Sequence, residues 1–138
     1  MRASAKAVTL VPPVAIIGIL VAMAQPPWPP YRLIGLGVVL LGLAGLTLAR
    51  ITLGDSFSIA PEARQLVTSG IYSRVRHPVY VFSFIAIAGL FLYIRAPWGC
   101  LILIPLGFVQ VFRARAEEKI LTAKFGDAYT RYKQHTWF

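Results

Sequence analysis

The residues able to do chemistry fall in two clusters. The first is Gly70-Ile-Tyr-Ser-Arg-Val-Arg-His-Pro-Val-Tyr80, which carries Tyr72, Arg74, Arg76, His77 and Tyr80. The second is Arg113-Ala-Arg-Ala-Glu117-Glu118-Lys119. Histidine and carboxylate side chains accept and donate protons when held against a reacting group. Arginine grips a carboxylate through a planar fork of donors. Glutamate suits a ligand ammonium or a sugar hydroxyl, and tyrosine rings suit a flat heterocycle. Each residue also has a plain reading. Arg113 and Glu117 are spaced as an i,i+4 helix pair. His77 before Pro78 could cap a helix at an interface. Arg74 and Arg76 could be topology determinants, and the tyrosines interfacial aromatics.

Both clusters abut apolar runs, and those runs define the class. The chain has 138 residues, is 57% hydrophobic and carries a net charge of +9, with mean hydropathy +0.68. That is too apolar for a small soluble domain and long enough for one domain. The basic residues lie in tails and loops between apolar runs, which matches an orientation signal rather than nucleic-acid binding. A single cysteine, Cys100, excludes an internal disulfide and reads as a packing residue. Neither histidine has a second ligand at helical spacing, so no metal site is expected. No glycine-rich phosphate loop and no serine or cysteine nucleophile arrangement is present.

Four apolar runs follow one another, at about 8–24, 33–49, 79–94 and 98–112. Roughly 20 helical residues cross a bilayer core of about 30 Å. Pro12 and Pro13 are expected in the first turns of the first run, where missing amide donors cost least. The rival reading of that run is a cleaved signal peptide ending at Ala22-Met-Ala24. Four prolines between Gln25 and Tyr31 forbid helix there. Gly35, Gly42 and Gly45 either form a close-packing face or reflect the ordinary abundance of glycine in membrane helices. Pro105 predicts a kink. Helical pattern continues from Arg113 to Phe125, Gly126 is a helix stop, and residues 127–132 predict one more short helix.

The expected fold is therefore an all-α integral membrane protein of one domain, 1–138. It has four transmembrane helices, a cytoplasmic loop 50–78 and a cytoplasmic helical extension 113–138. Twelve of the fourteen Lys and Arg residues lie in the N-terminus, that loop and that tail. The positive-inside rule then puts both termini and the site in the cytoplasm, in a bacterial or archaeal cell membrane. Oligomeric state stays open.

The ordered set Leu66-Val-Thr-Ser-Gly70-Ile-Tyr72, Arg76-His77-Pro78-Val-Tyr80, Glu117-Glu118 and Phe125-Gly-Asp-Ala-Tyr129 resembles the isoprenylcysteine carboxyl methyltransferases. The phospholipid N-methyltransferases share it more loosely. The resemblance covers about 53–132. It implies a multi-pass membrane methyltransferase that uses S-adenosyl-L-methionine and acts on a lipophilic or lipidated acceptor among membrane lipids. It implies cofactor contacts from Arg64, Gln65, Leu66, Val67, Tyr72, His77, Pro78, Val79, Tyr80 and Glu117. Arg113 matches a substrate-binding position, and Glu118 completes the acidic pair. His77 or Glu118 would take the proton if the acceptor is an amine. Arg113 would hold it if it is a carboxylate. One position departs from the pattern: Phe82 stands where the family often has glycine, which predicts an altered lipid-facing entrance. Two rivals are an NADPH-dependent membrane reductase of the sterol-reductase type, which has a related arginine-histidine-proline segment, and a non-catalytic membrane scaffold.

Overall fold

The computed structural model describes residues 2–54 and 66–137, with side chains from Pro12 onward. The described residues form five α-helices: α1 (Arg2–Ala22), α2 (Pro30–Leu53), α3 (Pro78–Tyr93), α4 (Cys100–Phe125) and α5 (Asp127–Gln134). Short 3₁₀ turns, Gly70–Ser73 and Pro97–Gly99, precede α3 and α4. The described residues contain no β-strand; Val75 and Trp137 form an isolated parallel bridge.

Two helices are long and apolar enough to cross a membrane, Pro30–Leu53 and Pro97–Phe125. The 24 residues of α2 reach about 36 Å, beyond a hydrocarbon core of about 30 Å. The apolar parts of α1, Pro12–Ala22, and of α3, Pro78–Tyr93, are shorter. The outer surface is oily. Leu33, Leu41 and Leu48 of α2 and Leu101, Ile104, Phe108 and Phe112 of α4 are all exposed, and no residue of α4 is buried. Such a surface suits lipid rather than water.

The structure corrects three expectations. Helix α1 begins at Arg2, so Pro12 and Pro13 lie inside it rather than in its first turns. Cys100 is exposed at the start of α4, not packed inside an apolar core. Phe82 does not alter a lipid-facing entrance through its own ring, because that ring fills the space beside Gly45 on α2.

Helices α2 and α3 form the tightest pair, and the glycines are the reason. A Cβ on Gly35 would lie 2.5 Å from the Tyr93 amide nitrogen, and one on Gly42 would lie 2.5 Å from that of Ala86. One on Gly89 would lie 2.6 Å from the Val39 nitrogen. The backbones therefore touch along the whole seam, so the close-packing reading of the glycines holds. Close approach supplies dispersion contacts where lipid offers no hydrophobic drive. At one end of the seam Tyr93 donates its hydroxyl to the Leu20 carbonyl at 2.6 Å, tying α1 to α3. Leu20, Val39, Leu43 and Tyr93 form the buried core there. Helix α4 touches α3 more lightly, which leaves room between them for the cavities described below.

Gly126, at φ +50°, ends α4 and opens α5. This left-handed turn, where glycine carries no Cβ penalty, swings α5 back under the polar loop. The predicted stop and short helix are both present, and Pro105 lies inside α4.

Candidate functional site

His77 sits at the centre. Proline at the first position of α3 is tolerated because no intrahelical amide partner is lost there. His77 is the N-cap residue of α3 and its carbonyl accepts from the Tyr80 and Val81 amides, but its side chain makes no cap hydrogen bond. Its ring is only 6% exposed and turns toward α4. Nδ1 lies 3.6 Å from Glu117 Oε2, and Nε2 lies 3.4 Å from Glu118 Oε1. Its other face stacks on Tyr80, with ring centroids 5.8 Å apart.

The two glutamates are neighbours in sequence but diverge in role. Adjacent helical residues point about 100° apart. Glu118 faces the loop and is held by charge: Arg76 Nη1 and Lys133 Nζ each donate to it at 2.9 Å. Burial alone would raise its carboxyl, but hydrogen bonds from Lys133 and His77, with the charge of Arg76, outweigh it and hold the group below its ordinary value. Glu117 instead faces a cavity.

The C-terminal segment clamps the loop from outside. Tyr132 donates its hydroxyl to the Tyr72 carbonyl at 2.6 Å. Arg76 N–H donates to the Trp137 carbonyl at 3.1 Å, and Trp137 N–H donates to the Arg74 carbonyl at 2.6 Å. Burial pushes the hydroxyls of Tyr129 and Tyr132 up to about 12. Burial, aided by Glu117, raises that of Tyr72 further. All three hydroxyls remain neutral at ordinary pH.

Around these residues lies a cavity of about 280 Å³. Tyr72, Arg76, His77, Val79 and Tyr80 line it from the loop and the start of α3. Arg50 and Leu53 line it from the end of α2, with Ser83 from α3 and Gln110, Arg113 and Glu117 from α4. The Arg113 guanidinium lies 5.6 Å above the Tyr80 ring. The wall thus offers guanidinium groups for a carboxylate, one carboxylate for an ammonium or hydroxyls, and aromatic rings for a flat heterocycle.

Six of the sequence-predicted residues meet at this wall: Tyr72, His77, Val79, Tyr80, Arg113 and Glu117. Glu118 stands behind His77 rather than in the wall. Pro78 is buried at the start of α3, and Leu66 and Val67 are half-buried away from the cavity. Arg64 and Gln65 lie outside the described residues. Sequence reasoning missed Arg50, Leu53, Ser83 and Gln110. A signal existed for two of them. Ser83 and Gln110 are polar residues within otherwise apolar runs, and such residues in membrane helices mark functional sites. They pair across α3 and α4, with Gln110 Nε2 donating to Ser83 Oγ at 3.2 Å.

A second cavity of about 250 Å³ lies between α3 and α4. Its walls are almost wholly apolar, including Phe84, Ile85, Gly107 and Val111. It shares His77, Tyr80 and Gln110 with the polar cavity. These three side chains therefore separate a charged compartment from an oily one.

A family model of phospholipid methyltransferases matches residues 31–128, from the start of α2 into α5. The chain belongs to the phospholipid methyltransferase family. Two curated relatives carry the printed name protein-S-isoprenylcysteine O-methyltransferase. The one from Schizosaccharomyces pombe is 33% identical over 111 residues, covering 75% of this chain and 47% of that protein. The one from Xenopus laevis is 35% identical over 108 residues, covering 73% of this chain and 37% of that protein. The chain thus spans less than half the length of these relatives that it matches. No solved structure matches it. The matched region holds every residue that lines the two cavities.

Proposed function

We propose that this family member transfers a methyl group from S-adenosyl-L-methionine to a lipophilic acceptor at the cytoplasmic edge of a membrane. The observation that carries the reading is the pair of cavities, one charged and one oily, meeting at His77, Tyr80 and Gln110. Methyl transfer to a lipid needs this arrangement, because a polar donor and an apolar acceptor must reach one point from different solvents.

The donor set fits the cofactor. Arg50 or Arg113 would take its carboxylate, Glu117 its ammonium or ribose hydroxyls, and Tyr72 or Tyr80 would pack on its adenine. When bound, S-adenosyl-L-methionine supplies an electrophilic methyl group. The chain's own task is then mainly orientation, since no covalent nucleophile is required of it. Arg113 extends over Tyr80 beside Glu117 and would hold an anionic acceptor. Of the three arginines in the wall, Arg76 is tied to Glu118, and Arg50 and Arg113 would each serve one of two carboxylates. That favours an isoprenylcysteine-like carboxylate acceptor over a lipid amine, which would instead need His77 to remove a proton. Glu118 acts as a positioning residue that fixes Arg76 and His77.

Family membership displaces the reductase reading. The proposed topology has four spans with both termini and the site in the cytoplasm, α1 and α3 joining the two longer helices in the bilayer. The test is calorimetric titration of the detergent-purified protein with S-adenosyl-L-methionine and S-adenosylhomocysteine. Saturable binding that disappears in Glu117→Ala is expected, together with methylation of an S-prenylated cysteine bearing a free carboxylate. A folded protein that binds neither ligand would overturn the proposal.

A further inference from the structure

The helices leave a third and larger cavity, of about 570 Å³, at the end of the bundle away from the site. Ala88, Phe91 and Leu92 of α3 and Cys100 and Leu103 of α4 form its apolar walls. Tyr31 from the start of α2 and Arg95, Ala96 and Pro97 from the turn between α3 and α4 complete it. This end also carries Trp28 and Trp98, aromatics of the kind that sit at headgroup level. The cavity therefore spans the boundary between headgroups and hydrocarbon.

Arg95 is held at this boundary by its backbone. Its φ is +54°, in the left-handed region that residues other than glycine, asparagine and aspartate rarely adopt. Arg95 N–H donates to the Leu92 carbonyl at 3.1 Å, and Ala96 N–H donates to the Phe91 carbonyl at 2.9 Å. The guanidinium lies 5.5 Å above the Tyr31 ring. The cation is thus fixed beside the oily slot instead of trailing into water. No described carboxylate balances it. Glu117 and Glu118 lie far along α4, about 25 Å from its start at Cys100. Asp127 lies beyond them, and Asp55 and Glu62 fall outside the described residues. A fixed guanidinium without a carboxylate, at the rim of an apolar slot, calls for a ligand that joins an anion to hydrocarbon. Arginine binds phosphate through its planar fork.

We propose that this cavity holds one phospholipid, with its phosphate on Arg95 and an acyl chain against Ala88, Phe91 and Leu103. The site is remote from the charged cavity and stands whether or not the methyltransferase reading does. Native mass spectrometry of the full chain in mild detergent, with added palmitoyl-oleoyl-phosphatidylglycerol, tests it. The basic tail also attracts anionic lipid, so the readout is the difference between variants. Wild type and Arg32→Gln should each retain one more lipid than Arg95→Gln and Ala88→Phe. Arg32 is the control because it lies at the same end but is engaged elsewhere, over the Tyr93 ring and on the Gln25 carbonyl. Helical circular dichroism checks that each variant is folded. Equal lipid counts in wild type and Arg95→Gln would overturn the proposal. Retention by a folded Ala88→Phe would remove the acyl-chain half of it. Displacement of the lipid by inorganic phosphate would show an anion site with no chain contact. A dimer lost in Ala88→Phe, in place of the lipid adduct, would show that a second copy covers this face.

Discussion

Arg76 Nη1 donates to Glu118 Oε1 at 2.9 Å, which fastens the loop before α3 to the far end of α4. Lys133 of α5 holds the other oxygen of the same carboxylate at 2.9 Å. One glutamate therefore joins three segments that are distant in sequence, while its neighbour Glu117 faces the cavity. Changing each should separate folding from binding. Glu118→Gln should lower stability by about 1.5–3 kcal/mol, the range for hydrogen bonds to charged groups. Glu117→Gln should leave stability nearly unchanged and abolish cofactor binding. Thermal unfolding and ligand titration of both variants check this. Equal melting temperatures for Glu118→Gln and wild type would refute the clamp.

The same cluster makes stability depend on pH in a fixed direction. The Glu118 carboxyl is held below its ordinary value of 4.5. Its ionic form therefore stabilises the fold fully above about that pH, and the contribution fades as pH falls through the lower folded value. The melting-temperature gap between wild type and Glu118→Gln should be largest near neutrality and shrink below about pH 4.5. A gap that persists unchanged to pH 3 would show that charge is not the source.

In the α2–α3 seam, glycine positions should divide by what a methyl group would meet. Gly42→Ala drives a Cβ toward the Ala86 backbone and should cost about 1–3 kcal/mol, as overpacking does. Gly37→Ala meets nothing within 4 Å. It should be neutral, or stabilise by about 0.5–1 kcal/mol through helix propensity. Melting curves of the two variants in one detergent give the comparison.

Arg113 should act on the acceptor more than on the cofactor. Arg113→Lys keeps the charge but loses the bidentate fork. A loss of roughly 1.5–3 kcal/mol in acceptor recognition corresponds to a fall of about 13- to 160-fold in kcat/KM. Cofactor affinity measured by calorimetry should stay within about threefold of wild type. A loss of cofactor binding as large as the loss in kcat/KM would instead assign Arg113 to the cofactor carboxylate.

Tyr132→Phe removes the donor that fixes the Tyr72 carbonyl. The expected cost is about 0.5–1.5 kcal/mol of stability, with weaker cofactor binding because Tyr72 lines the cavity. Unfolding and titration of that variant are sufficient to check it.

The amino-acid order alone marked the helical segments and several of their ends, although α1 starts earlier, at Arg2, and α2 runs on to Leu53 past the apolar run that ends at 49. The apolar runs, the prolines between Gln25 and Tyr31, Pro78 at the start of α3 and Gly126 after α4 act through local sterics and hydropathy, which need no partner. The order of the motifs also marked the family, and it named six residues that now meet at one wall. Tertiary structure decided the rest. The motif resemblance set Glu117 apart as a cofactor contact, but only the packing of the loop and α5 against α4 makes Glu118 a clamp rather than a wall residue. Phe82 read as part of an entrance until the closeness of α2 at Gly45 claimed its ring. Arg50 and Gln110 joined the site because the helices bring the end of α2 and the middle of α4 to the start of α3. Pairing of helices in lipid rests on close backbone approach and a few polar contacts, and those depend on every partner at once rather than on any local pattern.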